Sequence, residues 1–195
     1  QRTGEQYLLL SQQTGLTVEE ISAMSVAAAT AGVSNEALAL STKKLSINMV
    51  DAAGGGKEST ATFKALGVEI KNADGTLRNV NDVFLDTIDA LGQIENESER
   101  TTASQAAFGR SSQELAALIA DGSGKIREQA ELAAKLGLVW SGPAAQAADE
   151  LGDQTTILGL ALKGMGDEIG ARSIPGITKL VSATNDWILA NREAI

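Results

Sequence analysis

The chain has 195 residues, a formal net charge of −9 and 43% hydrophobic residues, enough apolar side chains to bury a core. It has no histidine and no cysteine, so zinc, haem, iron–sulfur and thiol chemistry lack their usual ligands and no disulfide framework is available. The acidic balance disfavours binding to a phosphate backbone, and no apolar run approaches the length of a membrane span.

The first elements are two helices separated by glycine. Thr17 and Glu20 have the spacing of a capping box, in which each side chain bonds a backbone N–H of the other residue. The helix that follows ends at Gly32 and carries apolar residues at helical spacing, namely Ile21, Met24 and Ala28. Ser34 is placed to cap a second helix, which stops at the glycines of residues 54–56 and aligns Leu38, Leu45 and Met49.

A third helix is predicted from Ser59 to Leu66, with Gly67 as its stop. The next segment alternates like a strand over residues 68–70, has turn chemistry at residues 72–75 (Asn-Ala-Asp-Gly), and returns over residues 76–78. We therefore expect a small β-hairpin around residues 68–78. A lone hairpin is marginal in water, so it must pack on the helices.

The middle of the chain predicts further helices. Asn81 is placed to cap one that bears Phe84, Ile88 and Leu91, and the charged stretch from Glu95 to Arg100 opens another that ends near residues 108–109. Residues 111–114 (Ser-Ser-Gln-Glu) have the spacing of a second capping box, for a helix with Leu115, Leu118 and Ile119. After a loop at residues 121–124, a helix from about residue 125 carries Leu132 and Leu136 and closes at Gly137.

The C-terminal part predicts one long helix over residues 144–171. Its apolar seam, with spacings of four, three and four, suits helix pairing and consists of Leu158, Leu162, Met165 and Ile169. Pro175 breaks the chain, and a last helix is predicted from about residue 177 to 191 with Leu180, Val181, Thr184 and Ile188 on one face.

These patterns predict a mainly α fold, a multi-helix bundle of short to medium helices with one small β-hairpin around residues 68–78. The best boundary is at residues 140–143 (Trp-Ser-Gly-Pro), which divides a compact helical subdomain, 1–140, from a long-helix segment, 141–195. Only 3% of the residues are aromatic, and small side chains each contribute little burial energy. We therefore expect modest stability and self-association or binding of partners through helices.

Two glycine–lysine segments resemble phosphate-binding loops only in part. Residues 54–58 (Gly-Gly-Gly-Lys-Glu) and 122–126 (Gly-Ser-Gly-Lys-Ile) both lack the hydroxyl residue that follows lysine in a P-loop. The first glycine of that motif is replaced by Asp51 in one and by Ile119 in the other. A helix break explains both segments better.

The remaining polar clusters have simpler structural interpretations. Two acidic groups, Asp82/Asp86/Asp89 and Glu95/Glu97/Glu99, fit solvated helix faces better than acid–base catalysis. A calcium loop begun at Asn72, with Asp74 and Asn81, would place Val83 where an EF-hand needs glutamate. Without histidine only a Ser–Lys dyad is open, among Ser41, Lys43, Lys44 and Ser46, and Trp140 and Trp187 fit core or interface anchors. We predict no catalytic, cofactor-binding or metal-binding residue, and no enzyme activity.

Three stretches, taken in order, carry a family resemblance. They are residues 32–34 (Gly-Val-Ser) with 54–58 and 63–68 (Phe-Lys-Ala-Leu-Gly-Val); residues 74–78 (Asp-Gly-Thr-Leu-Arg) with the helix over 83–91; and residues 107–115 (Ala-Phe-Gly-Arg-Ser-Ser-Gln-Glu-Leu) with 118–122. Over residues 16–190 the chain resembles the core region of phage tail tape measure proteins, and Pro175 before an amphipathic helix is similar to that family as well.

The resemblance implies a structural protein without catalytic residues or cofactors. Members of this family lie in the lumen of the tail tube, set tail length through their helical length, and help DNA to pass the host envelope. The implied partners are the tail tube protein, tail tip or baseplate proteins and tail assembly chaperones, with the host cytoplasm as the place of assembly. Tape measure proteins are usually much longer, so the resemblance also implies a piece of a longer chain.

Two other classes of function remain open from the sequence. A helical interaction or adhesin module fits the acidic composition without cysteine almost as well, although the ordered Phe-Gly and Asp-Gly motifs favour the tape measure. Some tape measure proteins carry domains that cleave the cell wall, but this stretch shows no such site. Release of muropeptides from purified peptidoglycan would identify a hydrolase.

Overall fold

A computed structural model describes the backbone of residues 3–164 and the side chains of residues 4–157. This part of the chain is mainly helical, which confirms the predicted class. A 3₁₀ turn, Arg110–Gln113, lies between α6 and α7. The helices, in chain order, are α1 (Thr3–Thr14), α2 (Val18–Thr30), α3 (Asn35–Ala53), α4 (Lys57–Leu66), α5 (Val80–Gly92), α6 (Glu97–Phe108), α7 (Ala116–Lys135) and α8 (Gly142–Gly164).

The predicted C-terminal features lie mostly outside this range. Pro175, the helix over residues 177–191 and the end of the long helix are outside the described residues, and so are the side chains of the seam at 158–169. The division at residues 140–143 stays a prediction.

The core surrounds α5. Its apolar side chains are buried along almost the whole helix, and α5 packs against α7, α6, α3 and α4. Phe84 meets Phe108, at the end of α6, with their ring centroids 5.1 Å apart in a tilted arrangement. Around this pair the core consists mainly of aliphatic and small residues. The predicted inward faces of α2 and α3 are confirmed, since Ile21, Met24, Ala28, Leu38, Leu45 and Met49 are all buried.

Local caps set several helix ends. Both bonds of the capping box between Thr17 and Glu20 are present, and Ser34 caps α3 by accepting from the N–H of Ala37. Gly67 ends α4 in the left-handed region, at φ 68°, where a residue with a Cβ is disfavoured. These predictions from sequence spacing are confirmed.

The predicted β-hairpin is wrong. The described residues contain no strand, and the segment has only an isolated antiparallel bridge between Lys71 and Leu77. Each arm is too short to extend the pairing, because one leaves α4 at Gly67 and the other enters α5 at Val80. The turn is instead held by Arg78, which donates to the Glu69 carbonyl at 2.7 Å and to the Asp86 carboxylate at 2.8 Å.

Three predicted helix starts are displaced. The cap of α5 is Asn79 instead of Asn81, and α4 begins at Lys57, ahead of the expected Ser59. The second capping box, at residues 111–114, does not form, because residues 111–113 belong to the 3₁₀ turn and Glu114 directly follows it. The Glu114 carboxylate instead accepts a 2.9 Å hydrogen bond from the Ser34 hydroxyl, so it connects this turn to the start of α3.

The helix predicted from about residue 125 corresponds to the second half of α7. Leu132 in α7 and Leu136 directly after its end are 47% and 63% exposed, whereas Ile126 and Ala133 of α7 are buried. The helix α1 was not predicted; it packs on α8, α2 and α3 and buries Tyr7.

The predicted loop at residues 121–124 is a kink at one residue. Gly122 has φ 78° and ψ 168°, and the helix resumes at Ser123. The Asp89 carboxylate, at the end of α5, accepts from the Ser123 N–H at 2.7 Å and from its hydroxyl at 2.5 Å. A side chain from another helix thus supplies the cap of the second half of α7.

We predict opposite results for alanine at two nearby glycines. Gly122→Ala should lower the free energy of unfolding by about 1–2 kcal/mol, because a Cβ is strained at positive φ. Gly124→Ala is the matched control, since its Cβ would have no neighbour within 4 Å and φ is helical. It should be neutral or stabilising by up to about 1 kcal/mol. Urea denaturation of both variants measures the difference, and equal effects would contradict a kink set by Gly122.

Candidate functional site

The glycine–lysine segments form helix boundaries in the structure. At the first, Gly56 precedes α4 and its Cα lies so close to the Asp51 carboxylate that a Cβ would overlap it. This negative charge occupies the space that a phosphate would need. At the second, Lys125 forms an ion pair with Asp121 at 2.8 Å, one turn earlier in α7.

The acidic clusters are divided among separate structural roles. Asp86 pairs with Arg78, Asp89 caps α7, and Asp82 lies in the first turn of α5. Glu97 and Glu99 lie in the first turn of α6, where carboxylates interact favourably with the helix dipole. Within the described residues, no group of three acidic side chains has the arrangement of a metal site.

The residues considered for a calcium site and for a Ser–Lys dyad also have separate positions and contacts. Asp74 accepts from the N–H of Thr76 at 3.0 Å and from its hydroxyl at 2.6 Å, which closes the turn. Ser41 is fully buried on the inner face of α3, while Lys44 is on the exposed side of the same helix. The structure therefore does not bring this serine and lysine together.

A cleft of about 420 Å³ lies where α5, α6, the 3₁₀ turn and α7 meet. Its polar lining includes Arg100 and Ser104 of α6, together with Gln93 and Gln113. The Ser104 hydroxyl is buried without a hydrogen-bond partner among the described residues. Asp89 also lines the cleft, but its carboxylate already accepts two hydrogen bonds from Ser123. The cleft contains polar groups but no paired nucleophile and base.

Two polar contacts join the start of α8 to α2. The Glu19 carboxylate accepts from the Gly142 N–H at 2.8 Å, at the first residue of α8. Ser22, one turn further along α2, accepts from the Trp140 N–H at 3.0 Å. We call Glu19, Ser22, Trp140 and Gly142 the α8 junction. Trp140 packs against the core, as the predicted anchor should, whereas Trp187 is outside the described residues.

Close packing of α1 on α8 reinforces this junction. A Cβ at Gly4 would lie 3.0 Å from the Ala148 Cβ and 3.2 Å from both the Ala145 carbonyl oxygen and the Trp140 ring. A glycine therefore lets the two helix backbones approach each other. Ala145 is fully buried there.

Beyond the junction α8 leaves the core. The side chains of residues 150–157 are all exposed, including Leu151 at 39% and Ile157 at 65%. The described part of α8 is 23 residues long, or about 35 Å at 1.5 Å per residue. No helix among residues 3–164 is both long and apolar enough to cross a bilayer.

The α8 junction depends on residues that sequence spacing could not connect. Glu19 and Gly142 are 123 positions apart, and Glu19 looked like an ordinary acidic residue in the first turn of α2. The hydrogen bond from Gly142 lowers the pKa of the Glu19 carboxyl below its ordinary value of 4.5. The ionised form is the one that holds the start of α8.

Comparison with known proteins gives one family. A family model described as "Phage-related minor tail protein" matches residues 3–109, which span α1 to the end of α6. This range includes the first two stretches of the ordered motifs and the beginning of the third. No curated protein and no solved structure matches the chain.

Acid should loosen the α8 junction through Glu19. Because its folded-state pKa is lowered, the stabilisation is complete above the unfolded value of 4.5 and is lost as pH falls through the lower folded value. In a Trp187→Phe background, Trp140 fluorescence should shift toward that of exposed tryptophan over this range. Glu19→Gln is the control, because its amide does not titrate. An identical acid transition in both proteins would contradict this role of Glu19.

Proposed function

Because the chain belongs to the family of phage-related minor tail proteins, we propose that it is a segment of a tail tape measure protein, which sets tail length during assembly and takes part in genome ejection. The match to residues 3–109 supports a structural role in the phage tail and a virion-associated protein. The finer assignment is supported by the order of the motifs, from residues 32–34 through 74–78 to 107–115. The family match also favours this proposal over an adhesin module.

The departure of α8 from the core is the observation that supports the length-setting role, which we call the ruler role. A length-setting element must be extended and rigid along one axis, and a helix adds about 1.5 Å for every residue. Residues 150–157 are helical with every side chain exposed, so this part of α8 is not used to complete the fold. We propose that the core over residues 4–149 anchors the segment and that α8 contributes to its length.

The same proposal accounts for the surface charge. A net charge of −9 repels the phosphate backbone on balance, so DNA can pass the protein in the tail without being retained. The partners we propose are the tail tube protein, tail tip or baseplate proteins and assembly chaperones. The place we propose is the lumen of the tail tube, after assembly in the host cytoplasm. The role is structural rather than enzymatic.

Tail length in the parent phage tests this function. We would insert one, three or five extra copies of residues 146–156, which make about three helical turns, directly after Thr156. If α8 is part of the ruler, tails should lengthen linearly by about 1.5 Å for each residue added. Electron microscopy of purified tails provides the length distribution.

The matched control carries the same copies in the exposed turn between Ala73 and Asp74. These residues loop out from the core, so the insertion should leave tail length unchanged. Tails of normal length with every α8 insertion would exclude a ruler role for this segment. Lengthening by both sets of insertions would show that chain length counts without regard to α8.

A further inference from the structure

The helix α3 has an apolar surface that its own fold does not use. Its inner face is buried, yet Leu40, Ile47 and Val50 on the outer face are 50%, 52% and 60% exposed. With Lys43 and Gly54 these residues follow the sequence at alternating intervals of three and four. We call Leu40, Lys43, Ile47, Val50 and Gly54 the α3 outer stripe. This is the heptad spacing by which one helix packs along another.

The charges beside the stripe identify what can cover it. Lys44 and Asp51 are both exposed, lie seven residues apart, and flank the same edge of the stripe. Neither forms an ion pair with another described residue, and they carry opposite charges. A helix with the reverse order of these charges would complement them, and α3 running in the opposite direction has that order.

We propose that two copies of the chain pair antiparallel through the α3 outer stripe, about a two-fold axis midway between Ile47 and Val50. In this register Ile47 of each copy packs on Val50 of the other, and Lys44 of each copy faces Asp51 of the other. Lys43 lies opposite Gly54, which has no side chain to obstruct it. The surface is self-complementary, as a two-fold interface requires.

Electrostatics selects this register over the alternatives. A parallel pair would bring Lys43 of both copies together in the seam and would leave Lys44 and Asp51 without opposite charges across the contact. An antiparallel pair shifted by one heptad would place Lys44 close to Lys44. Like charges in such positions are unfavourable, whereas the proposed register makes two opposite-charge contacts.

The pairing is expected to be weak. Each copy contributes about two heptads, less than the roughly 1,200 Å² that specific stable interfaces bury. Association should therefore occur at micromolar or higher concentration. The pairing does not depend on the proposed role in the tail, so one proposal can be wrong while the other is right.

Charge reversal with the full chain tests the pair. Sedimentation velocity from low micromolar to near-millimolar concentration should show a monomer–dimer equilibrium for the unchanged protein. Lys44→Asp and Asp51→Lys should each weaken self-association by about tenfold or more, because both cross-contacts become repulsive. An equimolar mixture of these two variants should associate again, since each supplies the charges that the other lacks. Lys135→Asp, on the exposed end of α7, is the matched control and should behave like the unchanged protein.

Three results would overturn the proposal. One is a monomer throughout the concentration range, which would leave the stripe to a different partner. Another is unchanged association of either variant, and a third is a mixture that associates no better than its components. Circular dichroism of each variant verifies the helical fold, and recovery in the mixture cannot come from a misfolded chain.

Discussion

The contact between Phe84 and Phe108 is the interaction on which the rest of the bundle depends. Aromatic residues make up only 3% of the chain, so few other side chains can fill the volume where α5 meets the end of α6. The two rings are buried with centroids 5.1 Å apart, an arrangement that contributes about 0.5–1.5 kcal/mol beyond area burial. Asn48 of α3 fixes the end of α6, donating to the carbonyl oxygens of Ala106 and Ala107 at 2.9 and 3.0 Å. Three helices are thereby held at one point, and α7 then packs on α5 and α2.

What could be predicted from the sequence was local. The faces of α2, α3 and α5 follow from apolar spacing, and the box between Thr17 and Glu20 follows from residues three apart. One prediction failed because the bonding partner is distant: Glu114 bonds Ser34 instead of its own turn. The helix α1 gave no periodic signal, because its apolar residues are largely consecutive at 7–10. The α8 junction could not be predicted either, because tertiary packing alone brings Glu19 to Gly142.

The fold separates two tasks. Residues that pack around the aromatic pair specify a compact body, while α8 and the outer face of α3 present apolar side chains that this body does not need. Such surfaces are characteristic of binding to other chains. In the role proposed above, the compact body anchors the segment, and these exposed surfaces are the ones available to other chains.

Hydrogen exchange on the Phe108→Leu variant shows whether the whole bundle depends on the aromatic contact. If the aromatic contact holds the bundle together, amides in α2, α3, α5, α6 and α7 should all lose protection by a similar factor, because they open as one unit. The amides of residues 150–157 should change little, because that part of α8 lies outside the core. Loss of protection confined to α5 and α6 would show instead that the other helices fold independently of this contact.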